Sequence, residues 1–206
     1  MSGAGARSAD ARRSAKEALR HRILAARGAI GRPQHTAACA AMTGSLIELA
    51  PYRRARTVSA YCSFGSEFDS AALLAEVLRT GKRLVLPRID RAARRLVFHF
   101  VADLDARLVP GTWGILEPDP GRCPIVDLRE IEFMLVPGVA FTRDCERLGY
   151  GGGFYDRVLA QLDPECRSVS AAFSLQIVDS LPAGPDDRRV DAVVTESGYF
   201  GLADQD

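Results

Sequence analysis

The sequence predicts an α/β fold, in which one domain carries a mainly parallel, doubly wound sheet with helices on both faces. Strand-like segments alternate with helix-like segments along most of the 206 residues. The segment IEFMLVPGVAF, at 131–141, is the most apolar of them, as expected for a parallel strand buried on both faces. The chain is also long enough for one such domain with a substantial core.

The helices are predicted from the spacing of apolar residues and from stop signals. Residues 1–8 are small and polar and are expected to be disordered, which places the domain at 9–206. A first helix is predicted from Asp10 to about Gly28. Its apolar positions are Ala15, Leu19, Ile23 and Ala26. Further helices are predicted at 34–49, 70–82 and 155–164, and further strands at 57–64, 83–89, 94–101, 168–174 and 189–196.

The composition is typical of a globular protein, with 47% hydrophobic and 26% charged residues. No apolar run approaches the roughly 20 residues that cross a membrane. The five cysteines are widely spaced and form no CxxC motif, so reduced thiols are expected rather than disulfides or a zinc site. A net charge of +1 argues against a dedicated nucleic-acid binder. We therefore expect a cytoplasmic monomer without a membrane or nucleic-acid partner.

Positive charge is concentrated at the start of the chain. Residues 1–35 hold eight Arg and Lys residues against two Asp and Glu residues. This segment is either a surface that faces an anionic ligand or a solvated helix rich in arginine.

A glycine-rich stretch, RLGYGGGFYDR at 147–157, follows the buried strand and precedes a predicted helix. Glycines allow positive φ and a close approach of the backbone to a ligand. At the carboxyl end of a parallel sheet, such a loop and a helix N-terminus can hold phosphate, assisted by Arg147 and Arg157. The spacing is neither a Rossmann nor a Walker A motif, and composition alone favours a structural turn. Its position in the sequence favours a phosphate site.

Five segments in chain order resemble the 5-formyltetrahydrofolate cyclo-ligase family, also called methenyltetrahydrofolate synthetases. They are KEALR (16–20), YCSFGSEFDS (61–70), WGILEP (113–118), LVPGVAFTRDCERLGYGGGFYDR (135–157) and VDAVVTE (190–196). The resemblance implies an ATP-dependent conversion of 5-formyltetrahydrofolate to 5,10-methenyltetrahydrofolate, ADP and phosphate, with Mg²⁺ required. A reduced folate and ATP would then be the partners of this chain.

The resemblance also implies roles for individual residues. Catalytic roles fall to Lys16, Arg147 and Asp156. ATP would be bound by Lys16, Glu17, Ala18, Leu19, Arg20, Arg147, Leu148, Gly149, Tyr150, Gly151, Gly152, Gly153, Phe154 and Tyr155. The folate would be bound by Arg20, Cys62, Glu67, Trp113, Tyr150, Gly151, Gly152, Gly153 and Phe154. The Mg²⁺ ligands would be Asp156 and Asp191. Without the resemblance, Lys16 and Arg20 would be interpreted as a solvated pair, and Cys62 and Trp113 as core residues.

The sequence departs from the family pattern at three positions. Thr142 stands where the family usually has Asp, Cys145 where it usually has Gly, and Asp186 where it often has His. We expect these differences to alter loop shape or substrate fit rather than to remove activity.

Two other functions are compatible with this scaffold. A folate- or nucleotide-binding protein without turnover would have no need of both metal carboxylates, which argues against it. An enzyme such as a sugar-phosphate isomerase would act without ATP, so nucleotide dependence separates it from the cyclo-ligase.

Overall fold

The computed structural model describes residues 3–201, with side chains from residue 7 onwards except at Trp113. The helices are α1 (Gly3–Gly28), α2 (Arg32–Glu48), α3 (Ala50–Arg54), α4 (Ala71–Arg79), α5 (Leu104–Arg107) and α6 (Phe154–Leu159). The strands are β1 (Thr57–Ser59), β2 (Arg83–Asp90), β3 (Arg95–Phe100), β4 (Leu108–Pro110), β5 (Leu116–Pro118), β6 (Phe133–Leu135), β7 (Ala140–Phe141), β8 (Arg147–Leu148), β9 (Arg167–Ala171), β10 (Ala192–Thr195) and β11 (Gly198–Gly201).

Within these residues a seven-stranded sheet runs in the order β11-β10-β9-β6-β1-β2-β3. The five central strands are parallel to one another, and each of the two edge strands pairs antiparallel with its neighbour. Helices α2 and α4 cover one face, and α6 covers the other. The predicted fold class, a mainly parallel doubly wound sheet in one domain, is confirmed.

Strand β6 lies at the centre of the sheet and contributes to both cores. Phe133 and Leu135 pack in the cluster under α2 and α4, whereas Met134 packs in the cluster under α6. All three side chains have no exposed surface. This strand is therefore buried on both faces, as its apolar sequence indicated.

The predicted strand at 131–141 is wrong in its length. The chain leaves the sheet after Leu135, and Pro137 and Gly138 separate β6 from a short hairpin formed by β7 and β8. At Gly138 an added Cβ would come within 2.3 Å of the Phe141 ring, so this turn requires glycine. The hairpin carries the chain from the central strand to the glycine-rich stretch.

Other boundaries also differ from the predictions. Strand β1 ends at Ser59 rather than at residue 64, and α6 ends at Leu159 rather than near Pro164. The first helix already includes Gly3, although it was predicted from Asp10. Met1 and Ser2 lie outside the described residues, and the disorder expected for 1–8 stays a prediction. In the part of the chain that the structure describes, no helix is both long and apolar enough to cross a membrane.

Replacing Phe133 with alanine is expected to destabilise the fold by about 3–5 kcal/mol, because the cavity would lie between two layers that cannot collapse. The Phe133 ring packs edge-on against Tyr52, with centroids 5.5 Å apart. Thermal unfolding should show a melting temperature lower by about 10 °C. The matched control is Ile125→Ala, at a side chain 72% exposed, which should change stability by no more than about 0.5 kcal/mol. Equal effects of the two substitutions would contradict this account of the core.

Candidate active site

The glycine loop, residues 149–153, connects β8 to α6. Gly151 and Gly153 have φ of 103° and 65°, which favour glycine. Among the described residues, no protein acceptor takes the amide hydrogens of Tyr150, Gly151 or Gly152. The loop therefore presents free backbone donors, as an anion site requires. Helix α6 is only six residues long, so these amides matter more than its dipole.

The turn between β7 and β8 explains one departure from the family pattern. Cys145 has a φ of 61°, in the left-handed region that favours glycine. Its amide donates to the Thr142 carbonyl at 3.0 Å, and the Thr142 hydroxyl accepts from the Glu146 amide at 3.2 Å. The turn thus has a left-handed residue at Cys145, the position where the family pattern usually has glycine.

Helix α1 lies against this hairpin. Ile23 packs with Val139 and Leu148, and Leu19 lies at the edge of the same cluster. The packing brings the next turn of the helix to the glycine loop, where Arg20 Nε donates to the Gly149 carbonyl at 2.8 Å. Arg20, which the resemblance assigns to ATP and folate binding, therefore lies beside the glycine loop.

Lys16 is held by an acidic side chain from the other end of the sequence. Its ammonium donates to both carboxylate oxygens of Asp187, at 2.7 and 2.6 Å. Burial raises the pKa of Asp187, but the bonds from Lys16 and from the Gly184 amide outweigh it and lower that pKa overall. Lys16 therefore has a fixed position beside the loop.

A basic groove of about 660 Å³ runs between α1, the glycine loop and the segment 184–187. Its wall on α1 is mainly cationic. The residues of α1 that line it are Ala9, Arg12, Arg13, Lys16, Glu17 and Arg20. Tyr150 and Gly151 close it on the loop side. Of the predicted ATP residues, Glu17 lies in this groove, whereas Ala18 is exposed outside it and Leu19 packs in the core.

Arg147 and Asp156 form an ion pair behind the glycine loop. Arg147 Nη2 donates to Asp156 Oδ1 at 2.7 Å, and Arg147 Nη1 donates to the Pro137 carbonyl at 3.3 Å. The Arg147 side chain is 2% exposed, yet within the described residues its Nε has no hydrogen-bond acceptor. A buried donor without an acceptor is costly, and a bound anion would satisfy it.

Asp156 has the chemistry of a magnesium ligand. Arg147 and the Arg188 amide both donate to Asp156 Oδ1, and no described residue donates to Asp156 Oδ2. Residues 7–201, apart from Trp113, contain no cluster of three or more His, Cys, Asp and Glu side chains that could hold a metal. One carboxylate suits Mg²⁺, which usually takes one or two together with phosphate oxygens and water. The residues present therefore fit the ion, provided that phosphate supplies further ligands.

Asp191, the second predicted metal ligand, lies elsewhere. It precedes β10 at the amino end of the parallel strands, and its Oδ2 accepts from the amide and the hydroxyl of Ser168, both at 2.7 Å. It lines none of the three cavities described here. The structure does not bring it into the site with Asp156, and its role in metal binding stays a prediction.

A second cavity, the main cleft, also measures about 660 Å³ and lies at the carboxyl ends of β1, β2 and β6. Ligands of open parallel sheets bind at this edge. The cleft is largely apolar and rich in aromatic rings. Its aromatic residues are Tyr61, Phe64, Tyr150, Phe154 and Tyr155, and the predicted folate residues Cys62, Glu67, Gly152 and Gly153 also line it. The side chain of Trp113 is outside the described part, so its role stays a prediction.

Glu67 is a buried carboxylate that lines the main cleft. It is 4% exposed, and its oxygens accept from the Tyr150 hydroxyl at 2.5 Å and the Phe64 amide at 3.1 Å. Burial raises its pKa, against the opposing effect of these two bonds and of Arg27. Burial also raises the pKa of the Cys62 thiol to about 11, so Cys62 acts as a neutral wall residue.

The sequence analysis assigned no function to Glu117, Arg27 and Asp187. The structure places Glu117 in the main cleft and Asp187 in the basic groove, and Arg27 donates a hydrogen bond to Tyr150, which lines both cavities. Glu117 is buried in the main cleft, 3.4 Å from Arg88 and 3.3 Å from the Thr112 amide. The sequence did indicate Glu117, since it lies within the WGILEP motif (113–118) that resembles the family. Arg27 and Asp187 gave no local signal, because their partners lie far away in the sequence.

Comparison with known proteins agrees with this geometry. Residues 12–196 match the model of the 5-formyltetrahydrofolate cyclo-ligase family. A 5-formyltetrahydrofolate cyclo-ligase of Mycolicibacterium smegmatis is 36% identical over 142 residues, covering 68% of this chain and 73% of that protein. One from Escherichia coli is 32% identical over 148 residues, covering 71% and 81%.

The fold is shared with a solved structure over nearly its full length. The NMR structure of Aquifex aeolicus 5,10-methenyltetrahydrofolate synthetase has a TM-score of 0.81 and 31% identity, covering 93% of this chain and 94% of that one. The family match, the relatives and the shared architecture lead to one conclusion: the chain belongs to the 5-formyltetrahydrofolate cyclo-ligase family.

Proposed function

We propose that this enzyme converts 5-formyltetrahydrofolate to 5,10-methenyltetrahydrofolate, with ATP converted to ADP and phosphate. The observation that carries the proposal is the shared wall of two cavities. Tyr150 in the glycine loop lines both the apolar main cleft and the basic groove. Such an arrangement suits two substrates of different chemistry that must meet.

The main cleft suits the reduced folate. A pterin ring carries N–H and amino donors, which match the carboxylate acceptor of Glu67. The aromatic side chains that line the cleft offer faces for its flat ring system. This supports the folate-binding roles of Cys62 and Glu67, with Phe154 at the wall beside the glycine loop.

The basic groove suits the triphosphate of ATP. Lys16 and Arg12 supply positive charge, and the free amides of the glycine loop supply directed donors. Arg147, whose Nε has no hydrogen-bond acceptor among the described residues, lines the main cleft, where the transferred phosphate would meet the folate. A Mg²⁺ ion held by Asp156 would neutralise phosphate charge.

The reaction needs positioning more than covalent assistance. The formyl oxygen attacks the γ-phosphorus of ATP and ADP departs, so the formyl group becomes a phosphorylated iminium with a good leaving group. The N10 amine then attacks the formyl carbon, loses its proton and expels phosphate, which closes the ring. Lys16 and Arg147 stabilise the charge on the transferred phosphate, and the apolar, aromatic lining of the cleft disfavours water near the activated carbon.

The direct test combines the protein with 5-formyltetrahydrofolate, ATP and Mg²⁺ and follows the absorbance of methenyltetrahydrofolate. We expect product only when all three are present, with one ADP formed for each ring closed. Absence of product under conditions where calorimetry shows ATP binding would refute the proposal. Binding of both ligands without product would instead support the non-catalytic alternative.

Replacing Glu67 with glutamine is expected to raise the Kd for the folate about 10- to 100-fold, because a buried acceptor would be replaced by a group that also donates. Since burial raises the pKa of Glu67, the wild-type enzyme should lose folate affinity as the pH falls, and at a higher pH than an ordinary Glu would cause. The variant should lack this pH dependence. Calorimetric titration with 5-formyltetrahydrofolate from pH 5 to 8 measures both effects, and an unchanged pH profile in the variant would exclude Glu67 as the titrating group.

A further inference from the structure

Arg27 is a buried cation to which the proposed reaction assigns no role. It lies in the last turn of α1 and is 3% exposed. Its hydrogen bonds go to two hydroxyls rather than to a carboxylate: Nε donates to Ser66 Oγ at 3.1 Å, and Nη2 donates to the Tyr150 hydroxyl at 2.8 Å. Burying a guanidinium is costly unless its charge has a nearby counterpart.

The negatively charged counterpart of Arg27 is Glu67, and the Tyr150 hydroxyl links the two side chains. The same hydroxyl that accepts from Arg27 donates to Glu67 Oε1 at 2.5 Å. A hydroxyl that accepts from a cation is a stronger donor, since hydrogen bonds in a chain polarise one another. The Arg27 guanidinium also lies 5.9 Å from the centroid of the Tyr150 ring. Arg27 therefore holds Tyr150 in place and directs its proton toward Glu67.

The other groups around the Glu67 side chain are neutral hydroxyls. Tyr61, Tyr150 and Tyr155 all interact electrostatically with Glu67, and burial raises the pKa of each. His35, from α2, contacts the Glu67 backbone carbonyl at 2.8 Å. Arg27 supplies the positive charge that acts on this carboxylate. Glu67 Oε2 has no such hydrogen-bonded link to a cation. Among the described residues it accepts only from the Phe64 amide.

We propose that Arg27 is a positioning residue of the folate site, which acts through the Tyr150 hydroxyl to keep the Glu67 carboxylate oriented and ionised for the pterin. The inference rests on the proposed function for the identity of the ligand, but not for the effect of Arg27 on Glu67. It assigns a role to the far end of α1, whose earlier turns face the basic groove.

The test compares Arg27→Met, which keeps an apolar stem and removes the charge, with Arg27→Lys, which keeps the charge. The carboxyl carbon of Glu67 is followed by carbon-13 NMR in the ligand-free protein, with Glu67→Gln identifying the signal. In Arg27→Met we expect the titration midpoint to rise by about one pH unit or more, and folate affinity at neutral pH to fall about tenfold. Arg27→Lys should keep both the Glu67 titration midpoint and the folate affinity close to their wild-type values. An unchanged midpoint in folded Arg27→Met would overturn the proposal.

A second variant separates this role from a general loss of structure. Tyr150→Phe removes the relaying hydroxyl while Arg27 stays in place, and should raise the Glu67 midpoint in the same direction. If affinity falls equally at every pH, with the midpoint unmoved, Arg27 has only a structural role and the proposal fails. If the titration midpoint of Glu67 moves in the variants but 5-formyltetrahydrofolate does not bind the wild-type protein, the proposed function fails. The effect of Arg27 on the ionisation of Glu67 would still be supported.

Discussion

Asp156→Asn is expected to lower turnover about 10²- to 10³-fold, and to lower the melting temperature as well, because the buried Arg147 loses its charge partner. Asparagine has the same size and still offers an oxygen to Arg147 Nη2, which now bonds to Asp156 Oδ1 at 2.7 Å. What is lost is the negative charge that would hold Mg²⁺ beside the transferred phosphate. Steady-state rates over a range of Mg²⁺ concentrations, with thermal unfolding in parallel, measure both properties.

Asp191→Asn is the matched control for the Asp156 substitution. If Asp191 binds the metal, this variant will require more Mg²⁺ for its half-maximal rate. If its bonds to Ser168 are its whole role, the variant will lose thermal stability and keep its Mg²⁺ requirement. Wild-type turnover in Asp156→Asn would show that the metal is held by other residues.

Lys16→Met is expected to lower kcat/KM for ATP about 100-fold, because the ammonium is already fixed where the phosphates would lie. The Lys16 side chain is 17% exposed and bonds to both oxygens of Asp187. Phosphate would compete with Asp187 for the same ammonium, so ATP binding replaces one anionic partner by another. Calorimetry with ATP and steady-state kinetics give affinity and rate separately.

The control for Lys16 is Arg13→Met, from the same helix and the same groove. The Arg13 side chain is 71% exposed, so water screens its charge and we expect less than a threefold effect. Equal losses in the two variants would mean that the groove attracts ATP through its general charge, without a specific role for Lys16. Asp187→Asn should change ATP binding less than Lys16→Met does, because the ammonium remains.

The fold class was predictable because alternating strand and helix patterns survive in a single sequence. The lengths of elements were not, and the stretch at 131–141 shows why. Its first apolar residues form β6 of the sheet and its last ones form β7 of the β7–β8 hairpin, and both strands are buried. Apolar character does not distinguish the two, although Pro137 and Gly138 marked the break. The antiparallel β2–β3 pair lacked a glycine turn, and Arg94 adopts a φ of 51° there.

The site was predictable where its residues are neighbours in sequence. The glycine loop, Arg147 and Asp156 lie in one stretch, and its place after the buried strand indicated a phosphate site. Contacts between distant segments left no such signal. A charged residue such as Arg27 is usually exposed, so its burial four residues after Ile23 was not expected. The pair of Lys16 and Asp187 spans 171 positions, and only the folded chain brings it together.

Tyr150 belongs to both cavities, and this has a thermodynamic consequence. A ligand in the basic groove that shifts its ring or hydroxyl also changes the contact with Glu67 in the main cleft. By linkage, any change that ATP makes in the affinity for the folate must be matched by an equal change that the folate makes in the affinity for ATP. Coupling of the two proposed substrates through Tyr150 would therefore have the same magnitude whichever of them binds first.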